Sequence, residues 1–192
     1  AAAVERVCKA EKWPVPDGVG VEIDPEQLEA AHQQNLDHFT GHKQDFLKPD
    51  TLDVGKFEYI VGNPPYVPIE KLTEDEKSRY RSEFNTASGR FDLYLLFFER
   101  ALSMLAENGR LSFITPEKFE YVDTAAPLRR LLTSDTFHVE EIQHMPEDTF
   151  SGLVTFPCVT TVSHKTTSKE TVVKLRDGSS HTTSLPGSRS WA

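Results

Sequence analysis

Residues 57–66 spell Phe-Glu-Tyr-Ile-Val-Gly-Asn-Pro-Pro-Tyr, an apolar run that stops at two adjacent prolines. Proline has no backbone N–H, so two prolines in a row cannot continue a β-ladder. The run therefore predicts an apolar strand, Phe57–Val61, that ends in a rigid turn at Asn63–Tyr66. In open α/β sheets, ligands bind at the carboxyl ends of the strands, and this turn is predicted to lie there.

Strand and helix signals alternate along the rest of the chain, which predicts a parallel sheet covered by helices. The predicted strands are Val19–Ile23, Phe57–Val61, Arg110–Thr115, His138–Gln143, Val154–Ser163 and a weak Thr171–Leu175. Residues 1–12 are predicted to be the end of a helix, and a second helix is predicted from Asp24 or Pro25 to about His38. A third, Thr73–Phe84, is predicted within a long polar loop (66–90). The last two predicted helices are Phe91–Ala106, which Asn108-Gly109 ends, and Ala125–Leu132.

Bulk composition indicates a globular chain. Hydrophobic residues make up 38% of the 192 residues, which excludes a disordered protein. No apolar run approaches the ~20 residues of a membrane span, and the N-terminus lacks the pattern of a signal peptide. The two cysteines, Cys8 and Cys158, support neither a disulfide framework nor a zinc site. We therefore expect a cytoplasmic protein that binds no metal and no membrane.

The formal net charge is -9. A nucleic-acid-binding face is expected to be basic, because neutralisation of phosphates drives affinity. The acidic balance thus opposes nucleic-acid binding unless the gripping module lies outside this chain, or unless the source organism works at high salt, which screens charge. The sequence leaves both explanations open.

The turn at Asn63–Tyr66 can perform a specific chemistry. Pro64 presents a carbonyl of fixed direction, with Pro65 stiffening the turn, and Asn63 presents an amide oxygen beside it. Two such acceptors can bind both hydrogens of an –NH2 group and direct the nitrogen lone pair at an electrophile. Tyr66 adds a ring on which a base can stack, and phenylalanine is expected to serve there almost as well. The alternative is a turn that only ends a strand, and the neighbouring segments favour the functional interpretation.

Asn63-Pro64-Pro65-Tyr66 resembles the catalytic motif of the amino-methyltransferases, which use S-adenosylmethionine as the methyl donor. The resemblance implies a doubly wound Rossmann-like sheet, mostly parallel with a C-terminal antiparallel hairpin. It also implies direct, in-line methyl transfer, with catalysis by positioning and electrostatics. The residues that it assigns to the cofactor are Glu22, Ile23, Asp45, Phe46, Asn63 and Phe97.

Physical chemistry agrees with the first of these assignments. A carboxylate at a strand end, such as Glu22, can accept two hydrogen bonds from a ribose diol. The alternative role is capping of the next helix, for which Asp24 is better placed. Phe97 is expected at the cofactor, whereas Phe91 and Phe98 are expected in the core.

The helix at Arg90–Leu102 and the segment Gly109–Pro116 resemble the NPPY-type, gamma-class-like DNA adenine-N6 methyltransferases of restriction–modification systems. That resemblance implies double-stranded DNA as the substrate, with a flipped adenine stacked between Tyr66 and Phe150. Two alternatives stay open. The amine could belong to a protein glutamine or to ribosomal RNA, or the chain could be an inactive remnant that acts only as a binding module.

The resemblance covers about residues 1–165. It places a glycine-rich cofactor loop on a first strand, and neither precedes residues 1–12, so we expect a partial catalytic domain (1–165) without that strand. Residues 166–192 are expected to be a linker or the start of a truncated recognition domain. Such a chain is expected to bind S-adenosylmethionine weakly. A separate recognition domain, or a restriction or specificity subunit, is the expected partner.

Two other groups of residues are not expected to form sites. His32, His38 and His42 lack the spacing of metal ligands, and we expect them to be exposed. Ser179, Ser180 and His181 fall in a segment expected to be flexible and do not suggest a catalytic triad.

Overall fold

The computed structural model describes residues 2–34, 38–48, 55–149, 156–164 and 170–191. The helices are α1 (Ala2–Glu11), α2 (Pro25–His32), α3 (Glu74–Glu83), α4 (Leu93–Ser103) and α5 (Ala126–Leu132). The strands are β1 (Gly18–Glu22), β2 (Phe39–Lys43), β3 (Phe57–Gly62), β4 (Leu105–Pro116), β5 (Phe137–His144), β6 (Pro157–His164), β7 (Thr171–Lys174) and β8 (Ser180–Thr183). In this described part, no helix is both long and apolar enough to cross a membrane.

The chain divides into two compact units, residues 1–54 and 55–192. In the first unit, β1 and β2 pair in parallel, and α2 packs on β2. Gly41 permits this packing, because a Cβ there would lie 2.4 Å from His32 Nε2 and 2.6 Å from Leu28 Cδ1. The predicted strand β1 and helix α1 are confirmed.

The predicted extension of α2 to His38 is wrong. The helix starts at Pro25 with Asp24 as its N-cap, whose Oδ1 accepts the N–H of Glu26 at 2.9 Å, and it ends at His32. The chain then enters β2, which the sequence patterns did not predict. Asp24 therefore caps α2, as expected, and Glu22 does not serve as the cap.

The second unit holds a six-stranded sheet in the order β3-β4-β6-β5-β7-β8. β3 and β4 are parallel, as are β5 and β7, whereas β6 runs antiparallel to both β4 and β5, and β8 antiparallel to β7. The predicted α/β class is confirmed. The antiparallel part of the sheet is larger than the single C-terminal hairpin that was predicted.

Helices α4 and α5 supply much of the core of this unit. α4 packs on β4, where the Phe98 ring lies 5.1 Å from that of Phe113 and 5.9 Å from that of Phe119. Phe91 and Phe98 are fully buried, which confirms their predicted place in the core. Full burial of one such side chain contributes roughly 1.5–3 kcal/mol.

The predicted end of α4 at Ala106 is wrong. The helix stops at Ser103, and Leu105 already pairs with Phe57 of β3. The register then shifts, so that Tyr59 pairs with Arg110, and β4 bulges between these pairs. Gly109 lies in the bulge, where a Cβ would be 2.8 Å from the carbonyl oxygen of Phe57. The glycine therefore serves a close backbone approach within a strand rather than the end of a helix.

The segment after residue 165 joins the same unit. β7 pairs with β5, and a tight turn with Gly178 at φ +84° leads into β8. Ser180 and His181 thus lie in a strand rather than in the flexible segment expected. Farther on, the Trp191 N–H donates to the Glu120 carbonyl at 2.8 Å. Whether this segment also leads into a recognition domain stays a prediction.

Arg129 of α5 ties the end of the chain to the core. Its side chain is 1% exposed, and Nη1 donates to the carbonyls of Phe119 (2.7 Å) and Val122 (2.8 Å). Nε and Nη2 both donate to the carbonyl of Ser188, at 3.2 and 2.9 Å. One planar guanidinium thus satisfies three carbonyl groups, a geometry that lysine cannot copy.

We expect Arg129→Lys to lower the free energy of unfolding by about 2–3 kcal/mol, because buried carbonyls lose their donors. Urea unfolding of this chain measures the effect. The matched control is Arg130→Lys, on the exposed face of the same helix, which should change stability by less than about 0.5 kcal/mol. Equal stability of the two variants would contradict the assigned role of Arg129.

Candidate active site

The turn Asn63–Tyr66 follows β3 directly, at the carboxyl edge of the six-stranded sheet. Pro64, the second residue of the turn, is buried in the protein, whereas Pro65 is exposed. Asn63 is exposed, and its side-chain amide has no hydrogen-bond partner among the described residues. An exposed amide thus stands next to a buried proline, and the predicted role of the two as acceptors stays a prediction.

The ring of Tyr66 is held at two points. Its hydroxyl donates to the carbonyl of Ile114 on β4 at 3.1 Å, and its ring meets the edge of the buried Tyr94 ring with centroids 6.2 Å apart. Burial, with a smaller effect of Cys158, raises the pKa of Tyr66 to about 12. The hydroxyl is therefore protonated at neutral pH and can donate. Sequence reasoning assigned Tyr66 only a stacking ring and missed this anchor.

The segment between the turn and α4 contains α3, which confirms the helix predicted at Thr73–Phe84. Thr73 and Glu76 form a capping box at its start. Both ends of the segment meet, because the Leu93 N–H donates to the Val67 carbonyl at 2.9 Å. Glu99 of α4 binds the middle of the segment by accepting the backbone N–H groups of Asn85 and Thr86 at 3.0 and 2.8 Å.

These contacts place the start of α4 beside the turn. Phe97 is half-buried on α4, unlike its neighbour Phe98. Its predicted contact with the cofactor stays a prediction. Phe150, the second predicted stacking residue, lies outside the described residues.

In the first unit, the predicted cofactor residues occupy the carboxyl ends of two neighbouring parallel strands. Glu22 ends β1, and its Oε1 accepts the N–H groups of Ile23 and Asp24 at 2.8 and 2.9 Å. Asp45 follows β2, and its Oδ1 accepts the N–H of Leu47 at 3.0 Å. Ile23 is exposed and Phe46 half-buried. The structure therefore brings Glu22-Ile23 and Asp45-Phe46 to one edge of the small sheet.

A partly buried ionic cluster lies next to the end of β4, and sequence reasoning missed it. His144 Nε2 is 3.0 Å from Glu120 Oε1 and 3.7 Å from Glu117 Oε2, and Arg176 forms an ion pair with Glu117. The hydrogen bond with Glu120 raises the pKa of His144, against the opposing effect of burial. Burial also raises the pKa of the nearby Cys158 thiol, which makes it a poor nucleophile.

Glu117, Glu120 and His144 bring their ligand atoms within 4.8 Å of one another, as metal ligands would. However, Glu117 already pairs with Arg176, and Glu120 already shares a hydrogen bond with His144. His144 Nδ1 also has no partner among the described residues, whereas a histidine that binds a metal usually donates its second nitrogen. The arrangement therefore fits a self-compensated ion network better than a metal site.

The anchor of Tyr66 changes the expectation for its replacement. Tyr66→Phe keeps the ring but removes the hydrogen bond to Ile114, so we expect the free energy of unfolding to fall by about 1 kcal/mol. The matched control is Tyr59→Phe, since Tyr59 is 69% exposed on β3. Chemical denaturation of both variants tests this; if Tyr66→Phe is as stable as Tyr59→Phe, the hydroxyl does not hold the turn.

His144 makes stability depend on pH. Since its pKa is raised in the folded protein, the protonated form stabilises the fold at pH values below the unfolded-state pKa of about 6.5. This contribution is lost as pH rises through the folded-state pKa. We expect the wild-type midpoint in urea to fall above pH 6.5 more steeply than that of His144→Gln.

The control for this titration is His181→Gln, on the exposed face of β8, whose pH profile should overlay the wild-type profile. A His144→Gln profile parallel to wild type between pH 6 and about 8.5 would exclude the histidine as the cause.

Comparison with known proteins identifies the family of this chain. The family model of the Eco57I restriction-modification methylases matches residues 17–150, more than half of the chain. The type II restriction enzyme and methyltransferase RM.Eco57I of Escherichia coli is 34% identical over 116 residues, which are 59% of this chain and 12% of that protein. The type II methyltransferase M.XhoI of Xanthomonas vasicola is 35% identical over 107 residues, which are 55% of this chain and 20% of that protein.

Solved structures agree on the fold. A Listeria monocytogenes protein assigned to the class I S-adenosylmethionine-dependent methyltransferases superposes with a TM-score of 0.72 at 18% identity, covering 90% of this chain and 53% of that one. The likeness shows that the two units carry the elements of a methyltransferase fold. This chain spans only 12% and 20% of the two curated relatives above. On the match of the family model, the chain belongs to the Eco57I restriction-modification methylases.

Proposed function

We propose that this chain carries the methyl-transfer site of an S-adenosylmethionine-dependent DNA methyltransferase that modifies N6 of adenine. One observation carries the proposal: an exposed Asn63 amide, without a hydrogen-bond partner in the described part of the chain, precedes a buried Pro64 at the carboxyl end of β3. Membership in a restriction–modification methylase family supports DNA as the substrate. The activity of the whole protein, and its specificity or restriction partners, belong to the same proposal.

The residues of the turn bind and orient the amine. Asn63 Oδ1 and the Pro64 carbonyl accept the two N–H bonds of the adenine amino group. This draws the nitrogen lone pair out of conjugation with the ring. The Tyr66 ring, fixed by Ile114 and Tyr94, stacks on the flipped base. Because the acceptors are already in place, little reorganisation is needed, and catalysis rests on preorganised positioning.

The donor set of the first unit fits S-adenosylmethionine. The Glu22 carboxylate is oriented by two backbone N–H groups on Oε1, which leaves Oε2 to accept from a ribose diol. Asp45 and Phe46 suit the amino group and the face of an adenine, and Ile23 adds apolar surface. When bound, the cofactor supplies a sulfonium methyl group that the amine attacks in line, so that a C–N bond forms, a C–S bond breaks and a proton leaves to solvent.

We expect Asn63→Ala to lower methyl transfer by on the order of 10²–10³, the scale for loss of one preorganised acceptor. Incorporation of a tritiated methyl group into DNA by the full-length protein measures this. The matched control is Asn108→Ala, an exposed asparagine in the bulge of β4, which should retain wild-type activity.

Further readouts separate the alternatives. Near-normal turnover by a folded Asn63→Ala variant would contradict the mechanism. Labelling of a protein glutamine or of ribosomal RNA, with none of DNA, would assign the amine to that substrate. An absence of both S-adenosylmethionine binding and labelling in the wild-type full-length protein would support a non-catalytic module.

A further inference from the structure

Phe156 is an exposed aromatic residue whose backbone is fixed at the start of β6. Its ring side is open, since the residue is 42% exposed. The Glu117 N–H donates to the Phe156 carbonyl at 2.8 Å, and the Met145 N–H donates to the next carbonyl, that of Pro157, at 2.8 Å. The backbone of Phe156 is thus held from the ends of β4 and β5, the two neighbours of β6.

The ring of Phe156 is also supported. Arg176 Cζ lies 5.1 Å from the ring centroid, within the range of a cation–π contact. The guanidinium is itself fixed, because Nε donates to the Met145 carbonyl at 3.2 Å and Nη2 forms an ion pair with Glu117. Since one face of the ring meets a fixed cation, the aromatic group is ordered before any ligand arrives, which reduces the entropic cost of binding.

The ionic cluster of Glu117, Glu120, His144 and Arg176 contacts the Phe156 ring through Arg176. His144 joins Glu120 to Glu117, and Glu117 joins Arg176, whose guanidinium reaches Phe156. The proposed methyl transfer uses none of these charged groups. Together they hold the Arg176 guanidinium against the exposed Phe156 ring at the edge of the sheet.

That edge is the one that carries the catalytic turn. β4 lies between β3 and β6 in the sheet. Tyr66 is anchored to Ile114, two residues before Pro116, and Pro116 pairs with Pro157, the residue after Phe156. Tyr66 and Phe156 therefore flank the end of the same strand, at the edge where the proposed substrate binds the turn.

We infer that Phe156 is a substrate-contacting residue whose ring, held by Arg176, stacks on an unstacked nucleobase of the DNA. The inference rests on the proposed function. A nucleobase is the ligand that fits, because an aromatic face supported by a cation is a stacking platform that accepts any base. It also provides affinity on a chain of net charge -9, where phosphate neutralisation is not available.

The test is DNA binding by the full-length protein with 2-aminopurine, a fluorescent adenine analogue quenched by stacking. The analogue is placed at the target position and, in separate duplexes, at each neighbouring position. We expect Phe156→Leu, which keeps apolar volume but not the ring face, to weaken binding about 10-fold, the scale of one base–aromatic stack. Fluorescence should rise at one position, and that position identifies the stacked base.

Two further variants make the result specific. Phe156→Trp should retain the affinity and the quenching, because it keeps an aromatic face. Trp13→Leu, at an exposed aromatic residue of the first unit, should leave both unchanged. Melting temperatures of all variants are compared, and if Phe156→Leu is unfolded, the tryptophan variant decides: loss of quenching in a folded Phe156→Trp overturns the inference.

The two proposals fail differently. If wild type binds DNA, and Phe156→Leu binds as tightly with the same fluorescence, the stacking role is overturned while the proposed function stands. If wild type neither binds nor methylates DNA, the proposed function fails, and the stacking role fails with it.

Discussion

The parallel pairing of β3 with β4 is the interaction on which the site depends. It sets Gly62 against Phe113, so the next residues, Asn63 to Tyr66, leave the sheet beside the end of β4. The hydroxyl of Tyr66 then reaches the Ile114 carbonyl, which converts the strand end and the turn into one unit. Pro64 and Pro65 have no N–H groups and cannot donate hydrogen bonds to a β-ladder. The hydrogen bond of the Tyr66 side chain takes the place of those missing ladder bonds. The turn can thus be rigid although it lies outside the sheet.

The charged groups near this edge follow the energetics of burial. Glu120 is almost fully buried, and an unpaired carboxylate there would cost several kcal/mol in lost solvation. Glu120 shares a hydrogen bond with His144, whose pKa this contact raises, and Glu117 forms an ion pair with Arg176. Because the pairs are linked, replacing any one member disturbs the others, and the arrangement persists only as a whole. The neighbouring Arg129 shows the same logic with neutral partners, since its buried guanidinium is satisfied by carbonyl groups.

The sequence alone predicts the elements whose signals are local. β3 with its proline stop, α3 with its Thr73 cap, and α5 have the predicted type and nearly the predicted bounds. The errors arise where distant contacts decide. β2 contains Gly41, which weakens a strand signal but is required by the packing of α2, and α4 ends early because Leu105 pairs with Phe57. β8 did carry a local signal, because Asp177-Gly178 between two short polar-apolar runs is a typical hairpin turn.

The candidate site divides along the same line. Asn63, Tyr66 and Glu22 follow strands whose ends are visible in sequence, so their placement could be predicted. The support of Phe156 could not, because Glu117, Met145 and Arg176 come from three separate segments that meet only in the folded sheet.

The net charge of -9 affects how this chain can contact DNA. Its proposed contacts to DNA are amide acceptors and aromatic faces, which depend little on salt, whereas phosphate contacts lose affinity steeply as salt rises. Such a chain can distinguish a base held outside the helix, but it adds little to the nonspecific attraction that gathers DNA. Under the proposed function, the site itself selects the base on which it acts.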